Sequence, residues 1–269
     1  MGAAFRAFDY SRVGHRGWPL RQRLSRRILV ALFRLLVRLE VAGLEHIPAE
    51  GPFILVANHL HALDPALGLL LVPRRVVGVA KDKWARPPFG WLLGAMGDLV
   101  YVGETRRGAI PRLLDVLKSG GVVAILPEGT RSPTGALVPA HRGVALLATR
   151  AGVPIVPAAA YGQERTLARW RRLRRVHVRV RIGPPIVLPA GPHDRRSLQA
   201  MTDGVMRVVA SMLPEVAARH RHRRHQLRPR PDHRAAADVA LQRGQVAPQL
   251  PAQDHRRVQE AVEAQRRRG

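Results

Sequence analysis

Short apolar runs alternate with longer amphipathic stretches along most of the chain. Residues 52–57, 74–80, 99–102, 122–126 and 153–159 have the length and apolar content of buried strands. Residues 176–182 alternate instead. Three valines and Ile182 fall on one face and His177, Arg179 and Arg181 on the other, as in a strand with one solvated side. Helical spacing marks 65–72, 109–119, 143–150 and 197–213, the second of these stopped by Gly120-Gly121. Residues 41–48 read as a short connection or strand. The stretch 165–175, with six arginines around Trp170, reads as an exposed helix. Strands interleaved with helices in this way predict a single α/β domain.

The two ends of the chain follow different patterns. Over 21–39 the apolar residues are nearly continuous, and Arg23, Arg27, Arg34 and Arg38 fall within about 60° of one another on a helical wheel. A helix with a wide apolar arc and a narrow cationic stripe suits the headgroup region of an anionic membrane; packing on its own domain is the alternative. After Pro214 the periodicity fades, and Arg, His, Gln, Pro and Ala predominate, a composition that favours disorder. The expected organisation is a basic, membrane-associating segment at 1–40, a folded domain at 41–215 and a disordered tail at 216–269.

Charge narrows the class of partner. The formal net charge of +26 calls for something anionic: a phospholipid surface, a phosphorylated ligand or nucleic acid. The absence of cysteine excludes a disulfide scaffold, a thiolate nucleophile and a cysteine-bound zinc. No run reaches the roughly 18–20 apolar residues that a bilayer span needs. No apolar core follows the first basic residues as in a signal peptide. These features predict a peripheral or monotopic protein on the cytoplasmic face of the cell membrane.

Two strand ends carry the reactive residues. The run at 52–57 delivers Asn58-His59-Leu60-His61-Ala62-Leu63-Asp64-Pro65, in which Asp64-Pro65 reads as a helix start with Asp64 at the N-cap. A histidine in that turn can offer one ring nitrogen to a substrate while a carboxylate five residues on holds the other. The run at 122–126 ends in Pro127-Glu128-Gly129-Thr130-Arg131-Ser132. Strand ends of this kind converge on one edge of an α/β sheet, where ligand sites lie. Arg131 is suited to a phosphate, because a guanidinium matches its oxygens in bidentate fashion.

These residues resemble the glycerolipid acyltransferases, the family of 1-acyl-glycerol-3-phosphate acyltransferases. The first motif is Asn58-His59 with Asp64 five residues after the histidine, the third is Pro127 to Ser132, and the fourth is Val153-Pro154-Ile155-Val156-Pro157. The resemblance covers roughly residues 40 to 190. It implies a central mixed sheet flanked by helices. It also implies transfer of a fatty acyl group from acyl-CoA or acyl carrier protein (acyl-ACP) to lysophosphatidic acid, giving phosphatidic acid, with no further cofactor and no metal.

His59 would be the general base and Asp64 its orienting carboxylate. Substrate binding would fall to Asn58, Glu128, Gly129, Thr130, Arg131, Lys81 and Arg106, with Glu128 orienting Arg131 or the acceptor's hydroxyl. The second motif departs from the pattern. Gly103 and Glu104 stand where an arginine is expected, and Arg106 follows two or three residues late. That departure leaves another lysophospholipid or a glycolipid open as acceptor. A non-catalytic basic protein that binds membrane or nucleic acid would explain the charge but not the ordered motifs, and nucleic acid is not an expected partner.

Overall fold

A computed structural model describes residues 5–7, 18–87, 90, 94, 97–103, 108–132 and 136–214. Eight strands form one mixed sheet: β1 (Arg6–Ala7), β2 (Val37–Ala42), β3 (Phe53–Ala57), β4 (Val76–Lys81), β5 (Asp98–Val102), β6 (Val122–Ile125), β7 (Ile155–Tyr161) and β8 (Val176–Ile182). Their order is β1-β2-β8-β7-β3-β6-β4-β5. β7, β3, β6, β4 and β5 run parallel, so their C-terminal ends share one edge. β8 is antiparallel to β7 and parallel to β2, so both begin at that same edge.

Burial explains the two strand patterns. β3 alternates between two cores, with Phe53 and Leu55 facing one and Ile54 and Val56 the other; a strand covered on both sides is apolar throughout. On the first face lie α1 (Leu20–Leu36) and α2 (Asp64–Leu71). The second face is covered by α3 (Ala109–Lys118), α4 (Gly143–Ala151) and α6 (Arg195–Ser211). α5 (Thr166–Trp170) is a single short turn before β8. β8 lies beyond the second cover, so Val176, Val178, Val180 and Ile182 are buried while Arg179 and Arg181 meet solvent.

The N-terminal expectation is corrected in three respects. Helix α1 ends at Leu36, not at 39, because Val37, Leu39 and Val41 pair with β8 and bury their alternate side chains. The proposed boundary at residue 40 therefore falls inside β2, and Arg38 leaves the helical stripe. Residues 1–40 are also not separable, since Leu29, Phe33, Val37 and Leu39 belong to the core. Removing them should unfold the domain.

Helix α1 is turned in an unexpected way. Gln22 and Arg26 point inward with Leu29 and Phe33, while Leu20, Leu24, Ile28, Leu32 and Leu35 lie exposed. Arg26 donates from Nη2 to Val72 O at 3.2 Å and stacks 4.2 Å over Trp18, and its burial lowers its pKa to about 10. Gln22 donates to Asp98. No described helix is long and apolar enough to cross a membrane. The expected exposed helix at 165–175 contracts to α5 followed by a turn. The expected tail at 216–269 lies outside the described residues.

Candidate active site

Asn58 follows the last residue of β3 and is fully buried. Its Nδ2 donates to Ala160 O at 2.9 Å, and its Oδ1 accepts from Ala160 N at 2.8 Å. The side-chain amide thus adds one more rung to the β3–β7 ladder. Both ends of that amide are engaged, which corrects Asn58 from a substrate contact to a pin that fixes where the next residue starts.

That next residue is His59. Its Nδ1 lies 2.9 Å from Asp64 Oδ2, and a carboxylate oxygen there can only accept. Nδ1 therefore carries the hydrogen, and Nε2 of the neutral ring keeps its lone pair. The ring is 18% exposed, enough for a substrate hydroxyl to reach it.

Asp64 is not the N-cap. Leu63 takes that position, and the Asp64 carboxylate turns back over the preceding loop. Its Oδ2 also accepts from Leu60 N at 2.7 Å and His61 N at 2.8 Å, and its Oδ1 accepts from Gln163 Nε2 at 3.0 Å. The helix start is local chemistry, but the carboxylate gathers a ring, two backbone amides and a distant glutamine.

His61 takes a different position from His59. Its Nδ1 accepts from Leu63 N, so its own hydrogen sits on Nε2. Burial, opposed by the Asp64 charge, lowers its pKa and so favours the neutral imidazole. Only its backbone touches Asp64, so of the two rings it is that of His59 that meets the carboxylate.

The turn after β6 closes on the same loop. Glu128 is buried; its Oε1 accepts from His59 N and its Oε2 from Val138 N, each at 2.8 Å. Burial pushes its pKa up against those two donors. Both oxygens face backbone, and no described ion pair joins Glu128 to Arg131. Ser132 N donates to His59 O at 2.9 Å, completing a second link. Gly129 has a φ of +65°, and a Cβ there would lie 3.3 Å from the His141 ring, so glycine suits this turn. Thr130 and Arg131 remain exposed at its tip. Lys81 ends β4 on the same edge and is exposed. Arg106 lies outside the described residues. No group of three described His, Asp or Glu side chains is placed to hold a metal ion.

Gln163 was not legible in the sequence. It is fully buried, 99 residues after Asp64, in a Gly-Gln-Glu turn that looks solvent-exposed on composition alone. Only the β3–β7 pairing brings it in. Gln163→Leu should lower kcat about 10- to 100-fold, as expected for losing a hydrogen bond to a charged group. Without that donor more negative charge faces His59, so the acid limb of the kcat/KM profile should move to higher pH. An unchanged limb with a lowered Tm would make Gln163 purely structural.

Residues 38–161 match the acyltransferase family model. Human 1-acyl-sn-glycerol-3-phosphate acyltransferase alpha is 31% identical over 192 residues, covering 67% of this chain and 65% of that one. The 1-acyl-sn-glycerol-3-phosphate acyltransferase of Pseudomonas aeruginosa is 32% identical over 154 residues, covering 55% of this chain and 59% of its own. The chain thus spans less than two thirds of the length of these relatives. The crystal structure of the 1-acyl-sn-glycerophosphate (LPA) acyltransferase PlsC from Thermotoga maritima superposes with a TM-score of 0.52 at 27% identity, covering 70% of this chain and 75% of that one.

Proposed function

We propose that this chain, whose residues 38–161 form an acyltransferase-family domain, moves a fatty acyl group from a thioester donor to the free hydroxyl of lysophosphatidic acid. The observation that carries the reading is the His59 ring at the shared strand edge, held by Asp64 at 2.9 Å through Nδ1, with no hydrogen bond to Nε2 among the described residues. Nε2 takes the hydroxyl proton as the oxygen attacks the thioester carbonyl, and Asp64 stabilises the imidazolium that forms. Collapse of the tetrahedral intermediate expels the thiolate, which takes the proton back from His59. The new C–O bond replaces the C–S bond, and the products are phosphatidic acid and the free thiol.

Arg131, exposed in the Glu128–Ser132 turn, is the phosphate ligand of this reading, and Lys81 and Thr130 lie on the same edge. The donor is acyl-CoA or acyl-ACP. The names of the relatives supply the acceptor. The test is to incubate purified protein with each donor and a panel of lysolipids and to identify products by mass spectrometry. Phosphatidic acid as the main product is expected; transfer only to another lysolipid would replace the acceptor, and no transfer would end the reading.

Docking as a peripheral protein on the cytoplasmic membrane surface fits the exposed row Leu20, Leu24, Ile28, Leu32 and Leu35. Burying a leucine contributes about 1.5–3 kcal/mol. Leu24→Asp/Leu32→Asp should therefore weaken vesicle binding at least about a hundredfold. Both side chains already face solvent, so the fold should survive; Leu36, which packs on the core, would not serve. Unchanged co-sedimentation with vesicles would rule out docking through α1.

A further inference from the structure

At the active-site edge, β2 and β8 begin beside a cavity of about 390 Å³ lined by Arg38, Arg169, Arg174, Arg175 and His177. Nothing in the proposed reaction uses these residues. Arg38 and His177 are direct partners in the β2–β8 ladder, and the other three arginines come from α5 and the turn after it.

The charge in this cavity is poorly compensated. Glu40 is the carboxylate within reach: Arg38 Nε lies 3.3 Å from it, His177 Nε2 2.9 Å and Arg179 Nε 3.0 Å. One carboxylate is thus shared by three bases. Arg169, Arg174 and Arg175 pair with no acid among the described residues. Arg175 is held by carbonyls instead, donating from Nη2 to Arg34 O at 2.7 Å and Val37 O at 2.8 Å, while Arg169 Nε donates to Arg175 O at 3.3 Å. Trp170 Nε1 donates to Leu36 O at 3.2 Å. These backbone anchors fix Arg169 and Arg175 without neutralising them, which preorganises that side of the cavity for an anion.

Exposed apolar residues flank these basic ones along the chain. Leu35, on the last turn of α1, is 68% exposed, Leu167 59% and Leu173 97%. Leu173 is also the one described non-glycine residue with positive φ, at 52°, a conformation that disfavours leucine. A leucine held outward in this way at the tip of an arginine turn gains nothing from water. A soluble phosphate compound would use the arginines and leave those leucines wet. A bilayer would use both, with arginines at the phosphate level and leucines in the acyl region.

We propose that this arginine pocket holds the phosphate of a bilayer phospholipid headgroup while Leu35, Leu167 and Leu173 enter the acyl region beside it. The proposal rests on the docking of the preceding reading and not on its chemistry. The pocket adds an orientation that α1 alone cannot impose. Gly162 packs against His177 O, where a Cβ would come within 2.2 Å, and the next residue is Gln163, which holds Asp64. A headgroup in the pocket would therefore set the active-site edge against the membrane surface.

The test is vesicle sedimentation of the full chain, using phosphatidylcholine alone and phosphatidylcholine mixed with phosphatidylglycerol. Arg169→Gln/Arg174→Gln should bind mixed vesicles about tenfold or more weakly than the parent and show a shallower salt dependence. Leu173→Gly should weaken binding to both kinds of vesicle with Tm unchanged or raised, since glycine accepts the positive φ. Parent-like binding of both variants to mixed vesicles would overturn the proposal. So would parent-like vesicle binding combined with loss, in the arginine variant, of the thermal stabilisation that inorganic phosphate or pyrophosphate gives the parent; the pocket would then serve a soluble anion. Acyl transfer by the parent is read separately on detergent-dispersed substrate. Its failure would count against the preceding reading alone.

Discussion

His59→Ala is expected to lower acyl transfer by roughly 10²–10⁴, the range for removing a general base, with Tm nearly unchanged. The reason is geometric. Asp64 Oδ2 accepts from the His59 ring and from two backbone amides, and Oδ1 accepts from Gln163, so truncating the imidazole removes one of the carboxylate's four hydrogen bonds and leaves the loop held by the rest. His61→Ser should stay within about tenfold of the parent, a barrier change near 1.4 kcal/mol, because its ring bonds to Leu63 N rather than to the carboxylate.

His61 also bears on stability against pH. The folded pKa of His61 is lowered, so the neutral ring is favoured in the fold, and its contribution is complete above the unfolded value of about 6.5. As pH falls through that value the unfolded chain takes up the proton first, and stability is lost until the folded group titrates. The parent should therefore lose Tm relative to His61→Ser between pH 7 and pH 5. An active His59→Ala beside a dead His61→Ser would overturn the assignment of the base and of Asp64 together.

Glu128→Leu should be costly for a different reason. The carboxylate accepts from His59 N and Val138 N in a buried setting, and both donors would be left without partners. Each buried unpaired N–H costs about 1–3 kcal/mol, so a loss of about 2–6 kcal/mol is expected, with kcat falling because the His59 backbone is released. Arg131→Ala, three residues on, should leave Tm alone and raise the acceptor KM about 10- to 100-fold, since a bound phosphate does not change in the reaction. Thermal melts and steady-state kinetics on the two variants separate a latch from a ligand. If Glu128→Leu melts like the parent and raises only KM, Glu128 contacts substrate and the latch is wrong. If Arg131→Ala loses kcat at constant KM, the guanidinium acts on the transition state.

Local pattern alone determined a good deal of this protein. Apolar runs such as 53–57 and 122–125 had to be buried strands, and the valines alternating with Arg179 and Arg181 had to form a strand with one wet side. The five-residue step from His59 to Asp64 likewise keeps ring and carboxylate within one turn. These outcomes depend on side-chain period and short-range reach, and both are written in consecutive residues.

Contacts between distant segments were decided only by the tertiary structure. Val37–Ala42 could have continued the helix before it, and became a strand because β8 offered it a ladder 139 residues away. Arginine and glutamine in α1 faced inward while its leucines faced out, which no wheel drawn from one helix can tell, since the wheel does not know which side the sheet will take. Glu128 reached back across 69 residues to the His59 amide, and Gln163 across 99 to Asp64. The parallel order β7-β3-β6 set those partners, because strands adjacent in a sheet lie about 5 Å apart however far apart they are in the chain.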